Sequence, residues 1–188
     1  MLEVRDEALV AFVHRTRQIL GYKEFQAPIH ITVQGPFPEP VSGSKLLEYE
    51  SLFSDDPLVV TGVGSFKSPS AVVFLRVHHP KFKSIWNKPD FPVDKYGINP
   101  HITLWEGGDN ALRAELEAFL RGEVLAFYCE DFRFIQYTSR QLGLFDDRVP
   151  YRAERRFALS EKGRVNRSFY VRLSELVGRH GLPKDIGR

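Results

Sequence analysis

Pro28-Ile29-His30-Ile31-Thr32-Val33 and Asn99-Pro100-His101-Ile102-Thr103-Leu104 repeat one four-position pattern, His-Ile-Thr and an aliphatic residue, 71 positions apart. Both stretches have strand character. Side chains of a strand point alternately to its two faces. His30 and Thr32 therefore share one face, and Ile29, Ile31 and Val33 share the other. His101 and Thr103 likewise share a face, backed by Ile102 and Leu104. The apolar back of each strand suits burial against helices, while the front carries an imidazole and a hydroxyl. With the two strands side by side, two His and two Thr line one cleft. A lone strand histidine is more often structural than catalytic. A duplicated pattern in a chain with only six histidines turns the reading toward chemistry.

The rest of the chain is organised around these two segments. Leu2, Leu9, Phe12, Val13, Thr16, Ile19 and Leu20 fall on one face of a first helix that Gly21 ends. The first special strand spans Pro28 to Gln34 and stops at Gly35-Pro36. Ser44 to Phe53 reads as a short helix. Leu58 to Val63 and Ala71 to Val77 read as strands joined by a Gly64 to Ser70 turn. Pro80 opens a short helix through Trp86. A loop from Lys88 to Gly97 leads to the second special strand, Asn99 to Trp105. Asp109 caps a helix with Leu112, Leu116, Phe119 and Leu120 on its face, closed by Gly122. Glu123 to Tyr137 is strand-rich, with a break near Glu130-Asp131. Leu142 to Phe145 and Arg156 to Leu159 read as further strands, and Ser168 to Val177 as a last helix. Interleaved helices and hairpin-like strands predict an α+β fold with mainly antiparallel sheet.

Bulk properties set limits. Apolar residues make up 43% of the 188, a globular fraction, with 15 Phe, seven Tyr and two Trp for core and stacking. No apolar run reaches the roughly 18 residues that span a bilayer, and the N-terminus lacks the pattern of a signal peptide. Cys129 is the only cysteine, so neither an internal disulfide nor a Cys-based metal cage is expected. A cytoplasmic protein with no membrane association and Cys129 as a small buried residue is the expectation. From Arg133 onward there are 13 Lys and Arg against six Asp and Glu, whereas the rest of the chain has 13 against 18. The last third is thus basic, either as a solvated surface or as a contact for polyanions such as RNA.

The paired His-x-Thr pattern resembles the two-histidine (2H) phosphoesterase superfamily, which includes bacterial 2′-5′ RNA ligase-like proteins and 2′,3′-cyclic nucleotide phosphodiesterases. Gly35-Pro36-Phe37 after the first motif and Pro100 before the second histidine agree with it. The resemblance covers roughly Pro28 to Tyr137, a core of about 28–137 followed by a basic extension of about 138–188 within one domain. It implies two lobes related by a pseudo-twofold axis, each an antiparallel sheet with outer helices, and a central cleft holding both motifs. It also implies His30 and His101 as acid and base and Thr32 and Thr103 as phosphate-binding groups. One departure stands out: the family begins with a strand before its first helix, and here the helical pattern starts almost at Met1.

The chemistry suits these residue types. Opening a cyclic phosphodiester needs a base for water and an acid for the leaving oxygen. Two imidazoles titrating near neutrality can hold opposite protonation states. In-line displacement sets them on opposite sides of phosphorus, and hydroxyl donors stabilise charge on the non-bridging oxygens. No metal or other cofactor is required. The expected function is metal-independent hydrolysis of a 2′,3′-cyclic phosphate or related diester of nucleotides or RNA ends, reversible as 2′-5′ RNA ligation. The alternative is a non-catalytic nucleotide or RNA-end binding module using the same cleft. No obligate protein partner is implied.

Secondary candidates surround the quartet. Gln34 and Trp105 lie two residues beyond the threonines and so on the motif face, where either can line the cleft; Trp105 there stacks a base or, the reading slightly favoured, packs as an ordinary strand residue. Phe37 and Tyr96 flank the motifs, and either shape the cleft mouth or pack in the core. Lys67 and Arg133 are further phosphate contacts to weigh. His78-His79 invites a metal reading, but adjacent strand residues point to opposite faces.

Overall fold

A computed structural model of the chain describes residues 1–22, 28–35, 39–67, 70–123, 127–136 and 167–181. At its start Leu2 and Val4 are buried while Glu3 between them is half-exposed, the period-two signature of a strand. β1 (Leu2–Val4) pairs antiparallel with β2 (His30–Ile31), placing Glu3 opposite His30. On its other side it pairs with β7 (Phe132–Phe134), placing Glu3 opposite Arg133. Leu2, Ile31 and Phe134 form the buried back of this three-stranded sheet, ordered β2-β1-β7.

The first helix therefore begins later than its apolar spacing predicts. Leu2 fits the helical face by spacing but is claimed by the sheet. Asp6 stops the strand and caps α1 (Glu7–Ile19), its carboxylate accepting from the Leu9 amide at 2.9 Å. Leu9, Phe12, Val13, Thr16, Arg17 and Ile19 form the buried face of α1. A strand before the first helix is thus present, and it forms the middle of the sheet that carries His30.

The second sheet has four strands: β3 (Leu58–Phe66), β4 (Ala71–His78), β5 (His101–Gly107) and β6 (Phe127–Cys129), ordered β5-β4-β3-β6 and antiparallel throughout. β3 runs on to Phe66, past the expected turn at Gly64. The break at Glu130-Asp131 is where the chain leaves one sheet for the other. β6 pairs with β3, and three residues later β7 pairs with β1. Cys129, buried at that junction, has its thiol pushed up to about 12 by burial and donates to the Asp131 carbonyl.

Helices cover the inner face of the second sheet. α5 (Asn110–Gly122) packs on β3 and β4 through Leu112, Leu116 and Leu120. Asp109 caps it as predicted, accepting from the Ala111 and Leu112 amides at 2.8 and 3.0 Å. The last described helix, α6 (Arg167–Arg179), buries Phe169, Leu173, Leu176 and Val177 against α1 and α5. Phe169 meets Phe12, which also meets Phe127, so one aromatic cluster ties α6 to α1 and β6. α2 (Gly43–Leu52), capped by Ser42, leans on β7. Two single turns, α3 (Phe82–Ile85) and α4 (Val93–Tyr96), punctuate the chain between β4 and β5. The segments at Leu142 to Phe145 and Arg156 to Leu159, along with Phe37, lie outside the described residues. No helix among the described residues is long and apolar enough to cross a membrane. The chain is an α+β fold of two antiparallel sheets and several helices.

Candidate active site

Among the described residues β2 and β5 are edge strands of different sheets, and they lie against each other. In the first motif His30 and Thr32 are half-buried while Ile29, Ile31 and Val33 are buried. Only His30 and Ile31 are ladder-paired, a shorter strand than Pro28 to Gln34, yet the alternation of faces persists through the whole motif. In the second, His101 and Thr103 are half-buried over a buried Ile102 and Leu104.

The two imidazoles are held alike. His30 Nδ1 lies 3.1 Å from the Pro28 carbonyl, and His101 Nδ1 lies 2.8 Å from the Asn99 carbonyl. A carbonyl oxygen only accepts, so each Nδ1 carries the proton and Nε2 is the basic nitrogen of the neutral ring. His101 is held below the usual imidazole range, first by burial, with the Asn99 carbonyl opposing and the charges of Lys88 and His30 adding to the shift. The two motif histidines are therefore close enough to feel each other's charge.

Lys88 was not singled out by its sequence context, yet its charge reaches His101. Its ammonium sits 5.5 Å from the Trp86 ring centre and 4.8 Å from that of Phe91. Burial lowers its pKa, and no carboxylate among the described residues pairs with it. A second long-range contact comes from α1. Buried Arg17 donates through Nε and Nη2 to the Thr103 carbonyl, at 3.0 and 2.6 Å. It caps the outer edge of β5 at the motif itself.

The flanking candidates scatter. Trp105 does not share the motif face. Phe74 pairs with Thr103 but Val73 pairs with Trp105, so a β-bulge takes up Leu104. That extra residue turns Trp105 to the core side, where it is buried. There it lines a cavity of about 540 Å³ with Tyr22, Asp109 and His180, behind the sheet rather than in front of it. Gln34 spends both amide hydrogens on the fold, donating to the Tyr49 hydroxyl at 3.0 Å and the Ile85 carbonyl at 2.7 Å. Tyr96 is exposed and packs edge-on against Phe91 at 5.5 Å. Arg133 is paired with Glu3 at 2.6 Å, and Lys67 is exposed. His79 is structural: its ring stacks on Phe53 at 4.0 Å, with Nε2 3.1 Å from the Asp56 carbonyl and Nδ1 accepting from Lys81 N.

An aromatic wedge sets the His101 ring. Phe74 lies 4.8 Å from it and Phe66 meets it edge-on at 5.5 Å. Phe74 fits because Gly64 lies opposite: a Cβ there would stand 2.6 Å from Phe74 Cε2 and 2.9 Å from Arg76 Nε. Gly64→Ala is expected to cost about 1–3 kcal/mol of stability by overpacking. It should also lower turnover several-fold by driving Phe74 into His101, with Phe74→Leu restoring both. Urea denaturation and rate assays on the single and double variants check this. An unchanged single variant refutes the wedge.

The chain matches no family model, no curated protein and no solved structure.

Proposed function

We propose that this chain is a two-histidine phosphodiesterase that opens a 2′,3′-cyclic phosphate or related diester of a nucleotide or RNA end. The reading rests on one observation above the rest. Two copies of His-x-Thr hold their imidazoles by the same Nδ1 contact to the carbonyl two residues earlier. A pair of structural histidines has no need of matching tautomers. A pair of proton-transfer groups does. The resemblance to the 2H superfamily, with its pseudo-twofold lobes and shared cleft, fits the same reading, as does the adjacency of β2 and β5.

In this mechanism His101 is the base for hydrolysis, because its surroundings favour the neutral ring. Its Nε2 takes a proton from water as the water oxygen bonds to phosphorus. The bond from phosphorus to one ribose oxygen breaks, and His30, entering the step as an imidazolium with both ring nitrogens protonated, gives its Nε2 proton to that oxygen. Thr32 and Thr103 hydroxyls donate to the non-bridging oxygens, and Lys88 offsets their charge. In ligation the acid and base exchange roles.

The test is product analysis with 2′,3′-cyclic nucleotides and short RNAs ending in a cyclic phosphate, in EDTA, beside the His30→Ala/His101→Ala double variant. Turnover by the wild type alone supports the reading, and the product isomer reports the bond cut. Activity that EDTA abolishes and zinc or magnesium restores overturns the metal-free mechanism. Binding without turnover points to the nucleotide-binding module instead.

The charge on Lys88 gives a pH prediction. A nearby cation lowers the imidazole pKa of His101, so its removal raises it. The base works only when neutral. In Lys88→Met the acid limb of kcat/KM is therefore expected to move to higher pH, as a pH–rate profile of both proteins will show. A shift to lower pH, or none, separates Lys88 from His101.

A further inference from the structure

The motif strand β5 is one edge of a broader polar face. Residues opposite each other on antiparallel strands share a face. The register therefore puts Arg76 beside His101 and Phe74 beside Thr103. Along β4 the same face continues from Phe74 through Arg76 to exposed His78, a span of about 13 Å at strand rise. Across β3, Phe66 shares this face, with its ring 4.6 Å from Phe74 and 37% of its surface open. Beside Arg76 stands Gly62, above which a Cβ would meet nothing within 4 Å, so the space over the backbone there is open.

Charge on this face is one-sided near the histidine. Arg76 is exposed, and no carboxylate among the described residues pairs with it. The carboxylate that β5 places on this face, Glu106, lies far from His101, opposite Val72, and accepts from Ser70 at 2.6 Å. An exposed ring, a guanidinium that no described carboxylate pairs with, and bare backbone in series are what a single nucleotide strand requires: stacking for a base and a cation for a phosphate. An acidic peptide would use the guanidinium and leave the ring idle.

We propose that the open face of the four-stranded sheet binds a single-stranded oligonucleotide running away from the two-histidine site. The base next to the reacting phosphate lies on Phe66, and the following phosphodiester lies on Arg76. This inference rests on the phosphodiesterase reading and names its substrate as an RNA end rather than a free mononucleotide.

Two measurements test it. The first is fluorescence anisotropy of a labelled short RNA ending in a 3′-phosphate, titrated with the wild type, Arg76→Gln, Phe66→Ala and Phe66→Tyr over a range of salt. Arg76→Gln and Phe66→Ala are expected to weaken binding about tenfold each, and Phe66→Tyr to retain it. The slope of log Kd against log salt should shrink by about 0.7 in Arg76→Gln, the loss of one phosphate contact on a single strand. Matching melting temperatures show that the variants fold. The second is kcat/KM for a cyclic-phosphate-ended oligonucleotide relative to a 2′,3′-cyclic mononucleotide. The wild type should prefer the oligonucleotide at least about tenfold, and both weakened variants should lose most of that preference.

Equal binding by all four proteins, equal use of the two substrates, or competition by polyglutamate as strong as by RNA each overturns the inference. RNA binding that depends on Arg76 and Phe66 without any turnover upholds this surface and sinks the phosphodiesterase reading. Equal turnover of both substrates with RNA binding indifferent to Arg76 sinks the surface alone.

Discussion

Alanine in place of either His30 or His101 is expected to lower turnover of a 2′,3′-cyclic phosphate by about a hundredfold or more, the scale of losing acid or base assistance. In the proposed mechanism each ring supplies one proton transfer, and neither can do the other's part while held across the reacting phosphorus. The double variant should be little worse than the poorer single one, because groups that act as a unit are not additive. Stability should move little by comparison. Removing a ring deprives one carbonyl, Pro28 or Asn99, of a donor, worth about 1 kcal/mol when water can replace it. Thr32→Ala and Thr103→Ala should lose less turnover, through weaker phosphate binding. Initial rates beside denaturation curves for the four single variants make the comparison. A histidine variant within threefold of wild type would remove that residue from the mechanism.

Arg17→Leu should be the most damaging substitution outside the motifs. Arg17 is 4% exposed, and its guanidinium gives two hydrogen bonds to one carbonyl, that of Thr103. Among the described residues β5 has a strand neighbour on one side only, so this carbonyl has Arg17 where a sheet interior would supply an amide. Leucine fills part of the space and leaves a buried acceptor unsatisfied. The expected cost is about 2–4 kcal/mol, from the lost charge-assisted bonds and the stranded carbonyl together. Turnover measured below the melting range should also fall, in kcat more than in KM, since the Thr103 segment is no longer held. Arg17→Lys should recover only part of either loss, because an ammonium lacks the planar fork that places two donors on one oxygen. Equal stability and rate in Arg17→Leu would show that the contact does not position the strand.

The sequence carried the quartet because strand periodicity is local. Knowing that His30 and Thr32 alternate with buried aliphatic residues needs only the chain's own period of two, and the burial of Ile29, Ile31 and Val33 follows it. The cap at Asp109 is equally local, made within three residues. The start of the chain shows where such reasoning ends. Leu2 fits the helical spacing of α1 as well as it fits a strand. Its assignment is made by pairing with Ile31 and Phe134, contacts that no window around Leu2 contains. Ladder hydrogen bonds to two partners outweigh the modest propensity of one leucine.

Trp105 is the sharper lesson. The period of two assigns it to the motif face, and the bulge at Leu104 turns it to the core. One inserted residue reverses every face beyond it, and here the reversal matches the apolar ring to the interior. Gln34 keeps the expected spacing, yet its amide is spent on Tyr49 and Ile85. The sequence by itself determined the α+β class, both motifs and the side of each strand their polar groups take, since these follow from periodicity and capping within a few residues. Only the tertiary structure decided that β2 and β5 lie together, that Arg17 and Lys88 reach the second motif, and that Arg76 and Phe66 extend its face. Those depend on sheet register and on contacts between distant segments, set by which apolar surfaces the whole chain can bury at once.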